Sequence, residues 1–401
     1  MSTKKINLNV NLMLSFIVFS MLLNSMSVII LQLSQNQQHS YTGLGMLEFF
    51  KDIPIALVSI FMVDYIKKRS YYSSLSIALI ICTLCSFTIP FVSEFWFLKI
   101  WFILIGISFS IGKICVFSII KNISDNEKDF SKTMSRTEAA FMLGVFIVNI
   151  EFAIILNSDY KDYWKFGFWL VGIISSWAAF QFYRIDKQNV YEIDKSQSKE
   201  VIDFRILFDY KSILFFTIVV IIVFTEQIFN SWLPTFYKHT LKADSFFALQ
   251  SSALLALFSF IGRLLASKAV VKFSPMKIFF FCLISGIILT SSAYIIGQDT
   301  DVKVKILMFL FPMVGIFTAP LYPMLNSKYL SKFSERRVGK IVSIIILFTS
   351  LGGSIGSMST AYIFQKNLGN YYLLFATIPL ILILIFSTFF SIKEKISEYI
   401  K

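Results

Sequence analysis

RIDKQNVYEIDKSQSKEVIDFRILFDYK, residues 184–211, is the one long hydrophilic stretch in a chain of 401 residues, and it falls near the middle. Six of its residues are Lys or Arg. On either side the sequence is oily: 56 % of the chain is hydrophobic, only 15 % is charged, and the mean hydropathy is +0.71. A helix that crosses a bilayer takes about 20 residues, and each flank divides by hydropathy into six such segments. The first six fall at residues 11–33, 42–66, 75–92, 95–120, 133–155 and 164–183; the second six fall at 212–236, 245–271, 276–297, 304–325, 339–364 and 371–392. The expected fold is therefore all-α and integral to the membrane, with twelve transmembrane helices in two pseudo-symmetric six-helix bundles. The bundles occupy residues 1–183 and 212–401, and 184–211 is a cytoplasmic linker between them.

Composition excludes a soluble enzyme. Aromatic residues make up 17 % of the chain, 45 of them Phe, more than a soluble core of this size hides and no burden for helices that face lipid. The formal net charge of +13 raises the question of nucleic acid, but the placement of the charge answers it. With the N-terminus in the cytoplasm, 25 basic residues fall inside, 8 outside and 4 within spans, the bias of a protein with an even number of spans and both termini cytoplasmic. The four cysteines, Cys82, Cys85, Cys115 and Cys282, all lie in spans, and the C-x-x-C spacing of the first two has no second pair to complete a zinc site. The first apolar run is about twenty residues long and lacks a small-x-small cleavage site, so it reads as a retained helix and not a secretion signal.

Several local patterns sharpen the picture. After span two comes Met62-Val63-Asp64-Tyr65-Ile66-Lys67-Lys68-Arg69, an aspartate ahead of a basic cluster, and the second half carries Gly262-Arg263-Leu264-Leu265-Ala266-Ser267-Lys268 at the equivalent place. These stretches resemble the signature loop of the major facilitator superfamily and its degenerate repeat, with Ile60 and Lys67 where glycines are usual and Ala266 where a second aspartate is usual. Span ten, Gly315 to Pro323, and span seven, Glu226 to Thr235, look more like the solute-porter branches of that family, including the sugar-proton symporters, than like its drug exporters. The resemblance covers nearly the whole chain at the level of fold and identifies no subfamily. It implies a gating role for Asp64, Lys67, Lys68, Arg69, Gly262 and Arg263, and a central site between the halves.

A charge at the centre of a span costs about 3 kcal/mol on insertion scales, so embedded ionisable residues mark either a self-neutralising cluster or a functional site. Glu48, Lys51 and Asp52 share one face of span two near its outer end, as a gate, a substrate-charge site or a paired cluster. Lys113 in span four and Glu138 in span five lie at similar depth and are expected to be able to pair; the resemblance places span four on the cavity, with Lys113 holding solute or coupling. Arg136 is nearer the surface and snorkels on its bland reading. Glu138 and Asn149 fall on one helical face. In span seven, Glu226, Gln227 and Asn230 combine with the nearby Trp232 to offer a membrane carboxylate beside an aromatic platform, which suits proton coupling and solute binding; the alternative is an interhelical hydrogen-bond cluster. Asn24 and Asn326 are weaker candidates of the same kind. Both histidines, His39 and His239, fall in outer loops.

Enzyme motifs fail on context. Gly352-Gly353-Ser354-Ile355-Gly356 matches G-x-S-x-G but sits inside a span with no preceding strand; Gly352 and Gly356 read better as a small-xxx-small packing face. Three functions remain open in order: a secondary active transporter of a small polar or charged organic solute, by alternating access and proton-coupled uptake; a proton-coupled multidrug or lipophilic exporter of the same fold; and, remotely, a polytopic membrane enzyme. For the first, Glu226 is the leading proton carrier with Glu138 second, and Lys113 or Lys51 would hold a negative group on the solute. No cofactor or metal is expected, the proton gradient being the energy source. The partners are the solute and membrane lipid, not nucleic acid, and the expected state is a monomer. The Phe, Ile, Lys, Asn and Ser bias resembles that of low-GC bacteria, which makes a bacterial inner membrane the expected location.

Overall fold

The computed structural model describes residues 3–35, 40–62, 65–66, 69–92, 94–124, 127–187, 209–297, 307, 309–331, 333 and 335–399. Among them there is no strand. Asp64, Lys67, Lys68, His39 and most of the 184–211 linker lie outside these residues. Among the described residues, ten helices are long and apolar enough to cross a membrane. They correspond to spans one, three to nine, eleven and twelve. The two remaining spans are interrupted. Span two is split into Tyr41–Gly45 and Leu47–Phe61 and carries Glu48, Lys51 and Asp52; span ten is split into Val314–Thr318 and Leu321–Ser331. The break in span ten follows from Pro320, which has no N–H to continue the helix. Span one is also interrupted, between Thr3–Asn24 and Met26–Gln35. There Asn24 Nδ2 donates to the Ser20 carbonyl at 2.9 Å and Ser25 Oγ to that of Leu22 at 2.7 Å, side-chain bonds that compete with the helical ladder and bend it.

Spans four (Phe95–Ile123), five (Glu127–Leu156), seven (Tyr210–Thr235) and eleven (Glu335–Gln365) extend the sequence-based boundaries by up to about two turns, whereas span eight (Ser245–Ala269) ends two residues short of its own. Span seven runs on into a π-helical turn, Phe236–Thr240, so His239 sits on a helix end and not in a loop. Packing repeats with an offset of six: spans one on five and seven on eleven, two on four and eight on ten, three on six and nine on twelve. Across the two sets, span two packs on eleven and span five on eight. Spans one and four are central, with 83 % and 78 % of their apolar windows buried, whereas six and nine bury 39 % and turn the rest outward. Exposed Phe61, Leu84, Ile173, Phe281 and Ile288 are what lipid-facing helices carry. Cys82, Cys85, Cys115 and Cys282 are all buried and unbridged.

Span eleven approaches span seven backbone to backbone. A Cβ on Gly352 would strike the carbonyl of Val220, and one on Gly356 would lie 2.7 Å from that of Phe224, so the small-xxx-small reading of this pair holds. Gly356→Val is expected to lower the stability of the purified protein by about 1–3 kcal/mol through overpacking. An unchanged thermal unfolding midpoint in detergent would contradict that contact.

Candidate functional site

A cavity of about 140 Å³ lies where the two sets of spans meet, lined from spans one, two, four, five, seven, eight, ten and eleven. Helical periodicity explains why its walls are polar: Lys51, Asp52 and Ile55 of span two, Phe109 and Lys113 of span four, and Glu138, Phe141 and Met142 of span five recur at spacings of three and four. Asn24, Glu226, Gln227, Asn230 and Arg263 add charged and amide groups, and Tyr322 a phenol.

Two carboxylate–cation–carboxylate triads stand in this wall. In span two the ammonium of Lys51 pairs closely with Glu48 and stands 3.8 Å from Asp52 Oδ1. Both carboxylates reach across to the second set of spans. Glu48 Oε1 accepts from Gln227 Nε2 at 2.7 Å and Ser231 Oγ at 2.8 Å, and Asp52 Oδ2 accepts from Ser354 Oγ at 2.9 Å. The second triad centres on Arg263, 3 % exposed. Its Nη1 donates to Glu138 Oε2 at 3.0 Å and also to the Glu138 carbonyl at 3.0 Å, and its Nη2 lies 3.6 Å from Glu226 Oε1. Its Nε donates to the Ala319 carbonyl at 3.1 Å. That carbonyl is available because the residue four further on is Pro323, which has no N–H to return. A proline in span ten thus seats the guanidinium of span eight.

Lys113 does not pair with Glu138, contrary to the expectation from their depths. Arg263 reaches Glu138 first, as a planar fork that bonds side chain and carbonyl together. Lys113 Nζ instead bonds Tyr322 Oη at 3.3 Å and lies 5.2 Å from the Tyr322 ring centre, 5.5 Å from that of Phe109 and 5.8 Å from that of Phe117. It forms no ion pair among the described residues.

Several other candidates fall elsewhere. Trp232 is fully buried outside the cavity, where its Nε1 donates to Ser357 Oγ at 3.0 Å and its ring stacks on Phe364. Six residues past Glu226 it points about 240° round the helix, so proximity in sequence does not make a platform. Asn149 lies on the face of Glu138 but three turns along, beyond the cavity, with Nδ2 bonded to the Val145 carbonyl. Asn326 is buried below Tyr322 and does not line the cavity. Arg136 is exposed. Arg69 is exposed and bonds Tyr65 Oη at 3.4 Å, while Gly262 packs against the backbone of Ile316 in span ten. Arg263, grouped by sequence with a gating loop, is a cavity residue. Tyr322, Ser231 and Ser354 were not singled out by the sequence, because uncharged hydroxyls are common in spans.

On the face opposite the termini a cluster of aromatic rings joins spans two, seven and eleven. Tyr41 of span two lies 6.4 Å from the Trp232 ring, 6.4 Å from Phe364 and 5.6 Å, edge to face, from His239. A polar cavity between two helix sets, with hydrogen bonds across the seam, is the geometry of a carrier. The sequence model of the Major Facilitator Superfamily matches residues 8–357. The chain belongs to the major facilitator superfamily. Solved structures similar to it include the fucose:proton symporter of Escherichia coli, 14 % identical with a TM-score of 0.70 over 95 % of this chain and 98 % of that one. A D-xylose-proton symporter is 17 % identical with a TM-score of 0.74, covering 94 % and 96 %. A bacterial homologue of the lysosomal transporter Spinster is 13 % identical with a TM-score of 0.70, covering 98 % and 97 %. No curated protein sequence matches the chain. This major facilitator protein therefore has the twelve-helix superfamily fold and is a multi-pass membrane transporter, not an enzyme.

Proposed function

We propose that the protein is a proton-coupled symporter that takes up a small polar or charged organic solute by alternating access, its two halves, residues 1–183 and 212–401, rocking about the cavity with both termini cytoplasmic. The observation that carries this reading is the Glu138–Arg263–Glu226 triad. Arg263 and Glu226 belong to the second half and Glu138 to the first, so the guanidinium is shared between a partner in its own half and one across the seam. Glu226 is the carboxylate with least to lose on taking up a proton: Asp52 accepts a bond from Ser354, whereas Oε1 of Glu226 is buried with no hydrogen bond among the described residues. A proton on Glu226 cancels its pull on Arg263 and leaves the guanidinium wholly to Glu138, tightening the bond between the halves. Loss of the proton divides Arg263 again and loosens it. Protonation is thereby tied to the contact that must change when the carrier turns over.

Symport is supported by two of the similar structures, a fucose:proton symporter and a D-xylose-proton symporter. A drug exporter would favour an apolar pocket with one carboxylate, and this chamber holds embedded charges of both signs. The test is uptake of a labelled metabolite panel into proteoliposomes with and without an imposed pH gradient. Accumulation that follows the gradient is expected for at least one member; uptake of a solute that is indifferent to the gradient would replace symport with facilitated diffusion.

A further inference from the structure

We propose, resting on the symport reading above, that the solute is a monocarboxylate whose anionic group seats on Lys113 and whose body lies against Phe16, Phe109 and Phe141, crossing together with one proton as an electroneutral pair. Lys113 is 8 % exposed and lines the chamber. An ammonium has three N–H donors, and among the described residues one is taken, by Tyr322. Ring faces on three sides soften the burial of the charge without neutralising it. No carboxylate of the described residues contacts the Lys113 ammonium directly, so an incoming carboxylate can pair with it without displacing one.

The other two cations of the site are already claimed, Lys51 by Glu48 and Asp52, Arg263 by Glu138 and Glu226. One cation of the cavity without an ion pair among the described residues suits one negative charge. A dianion would leave its second charge in a chamber that also presents Asp52, Glu138 and Glu226, so a dicarboxylate or a phosphate monoester is a poor fit. The apolar lining of Phe16, Phe109 and Phe141 asks for a body with some hydrocarbon or aromatic character.

The charge balance then fixes the stoichiometry. Four carboxylates (Glu48, Asp52, Glu138, Glu226) face three cations (Lys51, Lys113, Arg263), leaving the empty site one negative charge in excess when all are ionised. A bound monocarboxylate adds one negative charge and a proton on Glu226 removes one. Loaded and empty carriers therefore turn over with the same charge, so binding the pair adds no further net charge to be desolvated in a low-dielectric slab.

The full-length protein is titrated with benzoate and lactate, their neutral amides benzamide and lactamide, the dicarboxylate succinate, and the sugars fucose and xylose, with thermal unfolding as the readout. At least one monocarboxylate is expected to stabilise the protein, and its amide to bind roughly thirtyfold more weakly or worse, the loss that follows when a buried charge pair is left half made. Lys113→Gln is expected to abolish the distinction between acid and amide, and Lys113→Arg to keep it. In proteoliposomes the acid is expected to enter down a pH gradient with no current and no response to a potassium diffusion potential. Amides or sugars that bind as well as the acids, no response to any monocarboxylate, or uptake that carries current would each overturn the proposal. Should Lys113→Gln fail to fold, the acid-versus-amide comparison on the unaltered chain decides. Gradient-driven uptake of a neutral sugar would sink the monocarboxylate and leave symport standing; uptake of a bound acid that ignores the pH gradient would sink symport itself.

Discussion

Glu226→Gln is expected to bring its solute to equilibrium and no further. Glutamine keeps the shape of the protonated acid but cannot release a proton, so Arg263 stays with Glu138 through the cycle and the link between proton and solute is cut. In the unaltered protein a gradient of two pH units supports about a hundredfold accumulation for each proton carried, since one unit is worth about 1.4 kcal/mol. The variant should show an inside-to-outside ratio near one under the same gradient, while exchange of labelled for unlabelled solute persists in part. Accumulation of the solute by the Gln variant as high as that of the unaltered protein would remove Glu226 from the role.

Arg263→Met should have the largest effect on stability. Methionine fills the space of the side chain's stem, but Glu138 and Glu226 then face one cavity with no cation between them, and the Ala319 carbonyl loses the donor that replaces the missing N–H of Pro323. Removing one member of a buried ionic set costs about 3–5 kcal/mol, whereas removing the whole set is often close to neutral. The single variant is therefore expected to unfold at a markedly lower temperature, and the triple variant Glu138→Gln, Glu226→Gln, Arg263→Met to recover most of the loss without recovering transport. If the single variant melts with the unaltered protein, the triad is not the bond that holds the seam.

Much of this architecture is legible without coordinates, because lipid imposes few solutions. Long apolar runs with charge-marked ends give the spans, and the cost of embedding a charge singles out Glu48, Lys51, Asp52, Lys113, Glu138 and Glu226, of which all but Glu48 line the chamber. Pairing is not legible, since it depends on helices distant in sequence. Lys113 and Glu138 match in depth yet each finds a different partner, Tyr322 and Arg263. Arg263 carries its own signal, lying eight residues before the end expected for span eight, about 12 Å into the bilayer, too deep for a loop. Span ten could also have been read further: prolines at 320 and 323 announce free carbonyls in mid-membrane, and a free carbonyl in lipid needs a donor.

The four native thiols, sequestered within the helix bundle, give the molecule a practical asset. Water-soluble maleimides find no ready target on the folded chain at Cys82, Cys85, Cys115 or Cys282. A solitary cysteine engineered beside the chamber would therefore report which side of the bilayer reaches it, with no need to strip the natural sequence of sulfur beforehand.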